Sequence, residues 1–199
     1  MTLNQLIKVL DTAKVLAGFK DFQVSGIACN SKLVKDDFIF VAIKGNKQDG
    51  NKFIPEAIAK GAKAVIYQSP GHQDIKTQGK VLFIKVKDTR KALARIASEF
   101  YGNPSSKVKV IGVTGTNGKT TVTYLIEALL KEAGFAPAVI GTINYRFNAK
   151  IILSKNTTPG PLELQGMLKK MSDKGCDYAV IEVSSHALHA LPGSPLPQG

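Results

Sequence analysis

The sequence predicts an α/β protein built on parallel sheets with helices on their faces. Continuous apolar runs, such as those at 38–43 and 108–113, are typical of strands that are buried on both faces. Segments with apolar residues at helical spacing follow these runs, and a glycine ends several of them. Strands that alternate with helices in this order favour a parallel sheet over an antiparallel one.

The first half of the chain predicts one helix and then a series of strands and helices. Leu3, Leu6, Ile7 and Leu10 lie on one helical stripe, which predicts a helix over 2–17. A helical pattern also occupies 55–60, where a glycine follows it. The apolar runs that predict buried strands lie at 22–28, 38–43, 64–67 and 81–86.

A third helix and a linker complete the first domain. Asp88 is suited to cap a helix, because its side chain can accept hydrogen bonds from the first-turn N–H groups. The apolar face of that helix consists of Ala92, Leu93, Ile96, Ala97 and Phe100. The polar segment 102–107 contains a proline and predicts a linker. We therefore expect one domain at 1–104 and another at 105–199.

The second half repeats the pattern of strand and helix. Gly134 and Gly175 predict the ends of two helices, and Pro161 suits the first turn of the second one. A hairpin is expected around Asn148 and Ala149. The predicted elements are a strand at 108–113, a glycine-rich turn at 115–118, a helix over 119–133, a strand at 138–140, a helix over 161–174 and a strand at 178–183.

Composition excludes several classes of protein. The chain has 199 residues, of which 44% are hydrophobic, and no apolar run reaches the ~18 residues of a membrane helix. Charged residues at Lys8, Asp11 and Lys14 interrupt the N-terminal segment, so we expect no signal peptide and a cytoplasmic location. Cys29 and Cys176 have no partner at metal spacing, and we expect both to be small buried hydrophobes.

The net charge of +12 raises the question of nucleic acid binding. The arginines are Arg90, Arg95 and Arg146, and the other basic residues are lysines spread along the chain. Reading of bases and phosphates favours arginine, whose guanidinium group binds two acceptors at once. We therefore expect a solvated lysine-rich surface or a mild attraction for small anions, and no nucleic acid partner.

The strongest chemical signal is a phosphate-binding loop between the strand at 108–113 and the helix over 119–133. Its sequence, in the short form GxxGKT, lets backbone N–H groups face an oxyanion closely. Lys119 is positioned to reach the β- and γ-phosphates, and the Thr120 hydroxyl is the expected Mg²⁺ ligand. A glycine-rich turn with a surface lysine is the structural alternative. The predicted ATP-binding residues are Thr114, Gly115, Thr116, Asn117, Gly118, Lys119, Thr120 and Thr121.

Several segments resemble the Mur ligase family, which adds amino acids to the cell-wall precursor with the energy of ATP. The loop TGTNGKTT at 114–121 resembles the ATP loop of this family. The segments NTTPGPLELQ at 156–165 and EVSSHAL at 182–188 resemble the MurE branch, which attaches the third residue of the peptide. Segments at 29–38 and 45–54 are similar to the signature that holds the UDP group. The resemblance covers about residues 25–188. It implies a UDP-binding domain followed by a P-loop ATPase domain.

The resemblance implies that four side chains bind the substrate, a UDP-N-acetylmuramoyl-dipeptide. Ser31 would contact the UDP-sugar, since a hydroxyl can hydrogen-bond a uracil edge or a phosphate. Thr157 and Thr158 would contact the muramoyl-peptide portion, and Ser184 would be a further substrate contact. The alternatives are structural, because Asn-Ser is a common turn and Thr-Thr-Pro is common where helices begin.

The resemblance also implies a catalytic role for Lys119 and Glu182, with Mg²⁺ bound by Thr120 and Glu182. Glu182 ends a predicted strand at the edge of the sheet where parallel α/β proteins bind ligands. In the implied reaction, ATP phosphorylates a substrate carboxylate, and the amine of the incoming amino acid attacks the acyl phosphate. Two anions approach each other only with cations between them. A glutamate paired with a surface lysine is the structural alternative, and His186 is expected to support the site or to face solvent.

Some positions depart from the family. Asn30 and Lys32 stand where Asp and Arg are usual, so ATP binding is expected more firmly than uridine binding. After Leu188 the sequence leaves the pattern, and 189–199 contains three prolines. The lysine that the family carbamylates and the C-terminal domain that receives the amino acid are not found. We therefore expect a monomeric N-terminal fragment that is inactive by itself, with a tail outside the fold.

Two classes of function follow from the sequence. The first is an ATP-dependent ligase that adds diaminopimelate, or alternatively L-lysine, to UDP-N-acetylmuramoyl-L-alanyl-D-glutamate in peptidoglycan precursor synthesis. The second is a non-catalytic fragment that binds nucleotide or UDP-sugar without turnover. A P-loop kinase or GTPase is disfavoured, because the long βαβ domain that precedes the phosphate loop has no role in those proteins.

Overall fold

Two units make up the chain, Met1–Phe100 and Tyr101–Gly199. The structure, a computed structural model, describes residues 1–10, 20–45, 48–68, 81–147, 150–154 and 157–184. The described residues of each unit form one sheet with helices packed on it, and the strand pairs are all parallel in the first sheet and parallel in two of four cases in the second. The predicted α/β class is therefore confirmed. His186, His189 and the segment after Leu188 lie outside the described residues.

The sheet of the first unit has four parallel strands in the order β1-β2-β3-β4. These strands are β1 (Gly26–Ala28), β2 (Phe38–Val41), β3 (Ala62–Tyr67) and β4 (Leu82–Lys85). The strand predicted at 22–28 is shorter than expected. Before Gly26 the ladder gives way to a single bridge between Gln23 and Thr2, so the first residues of that run do not pair with β2.

The described helices of this unit are α1 (Leu3–Ile7), α2 (Ile54–Ala59) and α3 (Thr89–Phe100); α2 and α3 contact β3, and α1 contacts α3. The prediction of a helix over 2–17 is wrong in extent, because α1 ends at Ile7. The chain tightens there, where the Leu10 N–H donates to the Ile7 carbonyl at 3.0 Å, and Leu10 is buried without continuing the helix. Residues 11–19 lie outside the described part.

The predicted N-cap of α3 is confirmed. Asp88 Oδ1 accepts hydrogen bonds from the backbone N–H groups of Arg90 and Lys91, at 2.8 and 3.0 Å. The apolar face of α3 is buried, with Leu93, Ile96 and their neighbours in the core. This cap fixes where α3 begins and so places Arg90 in its first turn.

The sheet of the second unit has the order β5-β9-β6-β7-β8. Its strands are β5 (Lys109–Val113), β6 (Pro137–Ile140), β7 (Asn144–Phe147), β8 (Lys150–Leu153) and β9 (Tyr178–Glu182). The last strand, β9, lies between β5 and β6 and is parallel to both. The antiparallel pairing of β7 and β8 confirms the predicted hairpin, whose turn at 148–149 lies outside the described residues. The linker at 102–107 contains a short 3-10 helix, Pro104–Ser106.

Two helices cover opposite faces of this sheet: α4 (Lys119–Glu132) and α5 (Pro161–Asp173). On the α4 side, Ile126 and Leu130 pack against Val139 and Val180. On the α5 side, Leu164, Leu168 and Met171 pack against Ala138 and Ala179. Adjacent residues of a strand point to opposite faces, so each continuous apolar run packs side chains against both α4 and α5.

The two cysteines differ in environment. Cys176 is 4% exposed in the core of the second unit, as expected. The prediction that Cys29 is buried is wrong, because β1 ends at Ala28 and Cys29 begins the exposed turn after it. Within the part of the chain that the structure describes, no helix has the length and apolar character needed to cross a membrane.

Candidate functional site

The phosphate loop runs from the end of β5 at Val113 to the start of α4 at Lys119. Gly118 precedes the helix with φ of 77°, a left-handed conformation that favours glycine. No side chain caps the first turn of α4, so its N–H groups remain open to an anion, and the helix dipole adds partial positive charge. The exposed residues 114–118 therefore have the geometry that phosphate binding requires.

Lys119 folds back over this loop. Its Nζ donates to the carbonyl oxygens of Gly115 at 2.8 Å and Thr116 at 3.4 Å. These carbonyls hold the ammonium group on the loop itself. Because they are neutral, its positive charge stays available to a phosphate.

Glu182 lies beside the first turn of α4, at the carboxyl end of β9. It is 2% exposed, and its Oε2 accepts hydrogen bonds from the hydroxyls of Thr120 at 3.1 Å and Thr142 at 2.8 Å. Gly141 makes room for the carboxylate, since a Cβ at that position would lie 2.6 Å from Glu182 Oε1. Three consecutive parallel strands, β5, β9 and β6, thus deliver their carboxyl ends to one site.

The predicted substrate-binding residues of the second unit adjoin Glu182. Thr157 Oγ1 lies 3.3 Å from the Thr142 hydroxyl. Thr158 Oγ1 donates to the Glu182 carbonyl at 2.9 Å and accepts from the Ser184 N–H at 3.0 Å. These hydrogen bonds hold the segment before α5 against the end of β9. Thr157 and Thr158 therefore lie next to Glu182, which itself adjoins the phosphate loop.

The site contains oxygen atoms that could bind a metal ion, but the described residues do not form a complete set of metal ligands. Among the described residues, no group of three His, Cys, Asp or Glu side chains is arranged to hold a metal. The buried Glu182 carboxylate has two hydroxyl partners, and no described cation is paired with it. A carboxylate buried with neutral partners is costly unless a cation compensates its charge. Carboxylate and hydroxyl oxygens are ligands that Mg²⁺ accepts.

Ser31 belongs to the first unit and lines a pocket of about 880 Å³. It begins a 3-10 turn that Asn30 caps by accepting from the Lys32 N–H at 3.0 Å. Its Oγ, in a residue only 5% exposed, donates to Glu56 Oε2 at 2.8 Å. Hydrogen bonds from Lys60 and from Ser31 hold the pKa of Glu56 below its usual range. Asn30 thus performs the capping that an Asp at this position would also perform.

Sequence reasoning missed two residues of the second unit's site, Gly141 and Thr142. Both follow β6 directly, and Thr142 offers the same signal as Glu182, a polar side chain at the carboxyl end of a buried strand. The contact itself depends on β9 pairing with β6, which sequence spacing does not show.

Two family models match the chain. The model described as Mur ligase family, catalytic domain, matches residues 23–101, and the model described as Mur ligase middle domain matches residues 113–194. The chain belongs to the Mur ligase family. The middle-domain match runs to residue 194, six residues beyond the last residue of the motifs that carried the resemblance.

Among curated relatives, this Mur ligase chain is similar to two proteins named UDP-N-acetylmuramoyl-L-alanyl-D-glutamate--2,6-diaminopimelate ligase. The one from Clostridium tetani is 44% identical over 189 residues, which are 95% of this chain and 39% of the relative. The one from Aquifex aeolicus is 49% identical over 166 residues, which are 83% of this chain and 33% of the relative. The chain therefore spans less than half the length of these relatives.

Solved structures agree with the fold. A structure of a UDP-N-acetylmuramoyl-L-alanyl-D-glutamate--2,6-diaminopimelate ligase has a TM-score of 0.68 and 25% identity, and the match covers 96% of this chain and 37% of that one. A MurF ligase from Thermotoga maritima in complex with ADP has a TM-score of 0.52 and 27% identity, covering 83% of this chain and 35% of that one.

Proposed function

We propose that this chain supplies the UDP-substrate-binding and ATP-binding parts of an ATP-dependent, amide-forming ligase of the MurE type. The ligase would add diaminopimelate, in preference to L-lysine, to UDP-N-acetylmuramoyl-L-alanyl-D-glutamate in the cytoplasm. The names of the relatives support this substrate and this amino acid. A monomer without nucleic acid or membrane partners accords with the dispersed lysines and the arginine-poor composition.

The observation that carries the proposal is the junction of the phosphate loop with Glu182. ATP would bind along 114–121, with its phosphates at the open first turn of α4 and Lys119 neutralising their charge. Glu182 and the Thr120 hydroxyl would hold Mg²⁺, which compensates the negative charges that meet when a phosphoryl group passes to a carboxylate. Thr157, Thr158 and Ser184 would position the substrate peptide next to that phosphoryl group.

The first unit would hold the uridine end of the same substrate. Ser31 lines the pocket, and its hydroxyl proton is engaged by Glu56, so its oxygen offers lone pairs to a ligand donor such as the uracil imide. The boundary of this domain near residue 104 stays part of the proposal.

Titration calorimetry with Mg-ATP tests the nucleotide site. We expect Lys119→Ala to weaken binding about tenfold or more, because it removes a charge-assisted contact to phosphate. Lys170→Ala, which removes an exposed lysine of α5, is the matched control and should leave binding unchanged. Equal affinity in the wild type and Lys119→Ala would contradict the proposed site.

An ADP-release assay tests whether this chain turns over ATP by itself. The complete mixture contains Mg-ATP, UDP-N-acetylmuramoyl-L-alanyl-D-glutamate and diaminopimelate. Nucleotide binding without any release is the expected result, whereas ADP formation that requires both acceptor substrates would overturn the expectation that this chain is inactive by itself.

A further inference from the structure

The pocket of the first unit has two cationic side chains among its described lining residues. Lys32 and Arg90 line it, and no carboxylate stands among its described lining residues. Ile43 and Phe53 add apolar surface. A concave site with two cations and an apolar wall suits a ligand that has both an anionic group and a ring.

Arg90 is the better placed of the two cations. Its guanidinium has five N–H donors, and the hydrogen bond of this group in the described structure is from Nη2 to the Lys44 carbonyl at 3.3 Å. No described carboxylate pairs with it. By contrast, Arg146 in the second unit is paired with Glu127, and Lys60 is paired with Glu56. Arg90 therefore keeps most of its donors for a ligand, in a half-buried position where each hydrogen bond counts more than at the surface.

The backbone of α3 does not supply this anion site. Arg90 lies in the first turn of the helix, but the N–H groups of Arg90 and Lys91 already donate to the Asp88 carboxylate. The negative charge of the capping carboxylate also offsets the partial positive charge of the helix N-terminus. An anion in this pocket would consequently be bound by the Arg90 side chain.

We propose that Arg90 binds the diphosphate group of the uridine-containing ligand. This inference rests on the proposed function, because it assumes that the first unit holds a uridine diphosphate. The planar guanidinium can donate two parallel hydrogen bonds to phosphate oxygens, which the ammonium group of a lysine cannot do in the same geometry. The Lys44 carbonyl orients the group by engaging one of its N–H donors.

The two cysteines of the chain provide a direct readout of where a ligand binds. Cys29 is exposed and lines this pocket, whereas Cys176 is buried in the second unit. The pocket walls desolvate the Cys29 thiol and raise its pKa, so alkylation by iodoacetamide is best measured at about pH 9, where more thiolate is present. A ligand in the pocket should slow alkylation of Cys29 and leave Cys176 unchanged.

The experiment combines this footprint with titration calorimetry on the whole chain, with UDP, inorganic pyrophosphate and uridine as separate probes. UDP should protect Cys29 in the wild type. Arg90→Gln should weaken the binding of UDP and pyrophosphate about tenfold or more and leave uridine binding unchanged. Arg90→Lys, which keeps the charge, should cause a several-fold loss with the same selectivity, and it serves as the test if the Gln variant does not fold. Lys91→Gln removes a charge from the same turn outside this pocket and should have no effect.

The outcomes separate the two proposals. UDP binding without protection of Cys29, or equal UDP affinity in the wild type and the Arg90 variants, overturns the role of Arg90 and leaves the ligase proposal standing. Uridine binding that falls as much as UDP binding also overturns it, since Arg90 would then only shape the pocket. If the wild type binds no UDP at all, both this inference and the proposed role of the first unit fail.

Discussion

Replacing Gly141 by Ala tests whether the pocket around Glu182 is as tight as the structure indicates. The added Cβ would lie 2.6 Å from Glu182 Oε1, whereas ordinary contact begins near 3.4 Å, so the carboxylate must move. Moving it strains the hydrogen bonds from Thr142 and Thr120, at 2.8 and 3.1 Å. A hydrogen bond to a charged group contributes ~1.5–3 kcal/mol, and the loss of one of the two predicts a destabilisation of about 2 kcal/mol.

Urea denaturation followed by circular dichroism measures this loss, with Mg-ATP titration as a second readout on the same sample. Gly112→Ala in β5 is the matched control, because its Cβ would meet Val183 Cγ2 at 3.5 Å, an ordinary contact. We expect a change of about 0.5 kcal/mol or less for the control. A Gly141→Ala variant with the stability and ATP affinity of the control would refute the reasoning, since it would show that Glu182 adjusts freely.

Three further predictions concern stability and its pH dependence. Asp88→Ala should destabilise the first unit by ~1 kcal/mol, measured by urea denaturation, because it leaves two first-turn N–H groups of α3 without their acceptor; no loss would mean that solvent replaces the cap. Arg146→Met should cost about 3 kcal/mol in the same assay, because it strips the buried Glu127 of its closest partner; a neutral result would contradict a stabilising pair. Burial alone would raise the pKa of Glu127, but Arg146 and Lys131 outweigh it and hold the pKa below its usual value. Its carboxylate therefore stabilises the fold above about pH 4.3, and this is lost as pH falls toward the folded-state pKa, so acid unfolding curves should show a smaller loss in Arg146→Met than in the wild type.

The features that the sequence predicted well are local ones. Glycines, the Asp88 cap and continuous apolar runs act on their own neighbourhood, so the strands of both sheets and the start of α3 were predicted nearly in place. The phosphate loop belongs to the same class, because strand, turn and helix are contiguous in GxxGKT. The end of α1 was not predictable in this way, since the apolar spacing continues to Leu10 after the helix has stopped at Ile7.

The features that sequence reasoning missed depend on pairing between distant segments. Thr142 contacts Glu182 only because β9 lies next to β6, and Arg90 reaches the pocket of Ser31 only because α3 begins where it does. Cys29 was misjudged because one residue at the end of β1 decides between core and turn. Residue type alone does not predict these positions, since threonine, arginine and cysteine occur in sites, on surfaces and in turns alike.

The place of β9 between β5 and β6 bears on the order in which the second unit forms. Paired residues of β5 and β9, such as Val113 and Glu182, are 69 positions apart in the chain, and paired residues of β6 and β9, such as Ala138 and Ala179, are 41 positions apart. β6 can pair with its sequence neighbour β7 beforehand, but the parallel part of the sheet forms only when residues 178–182 are inserted, so closing these long loops is an entropic barrier to its formation. The carboxylate of Glu182 arrives with that same insertion. The contacts that would bind a nucleotide at the phosphate loop therefore exist only after the sheet is complete. ATP should consequently slow the unfolding of this unit rather than accelerate its folding.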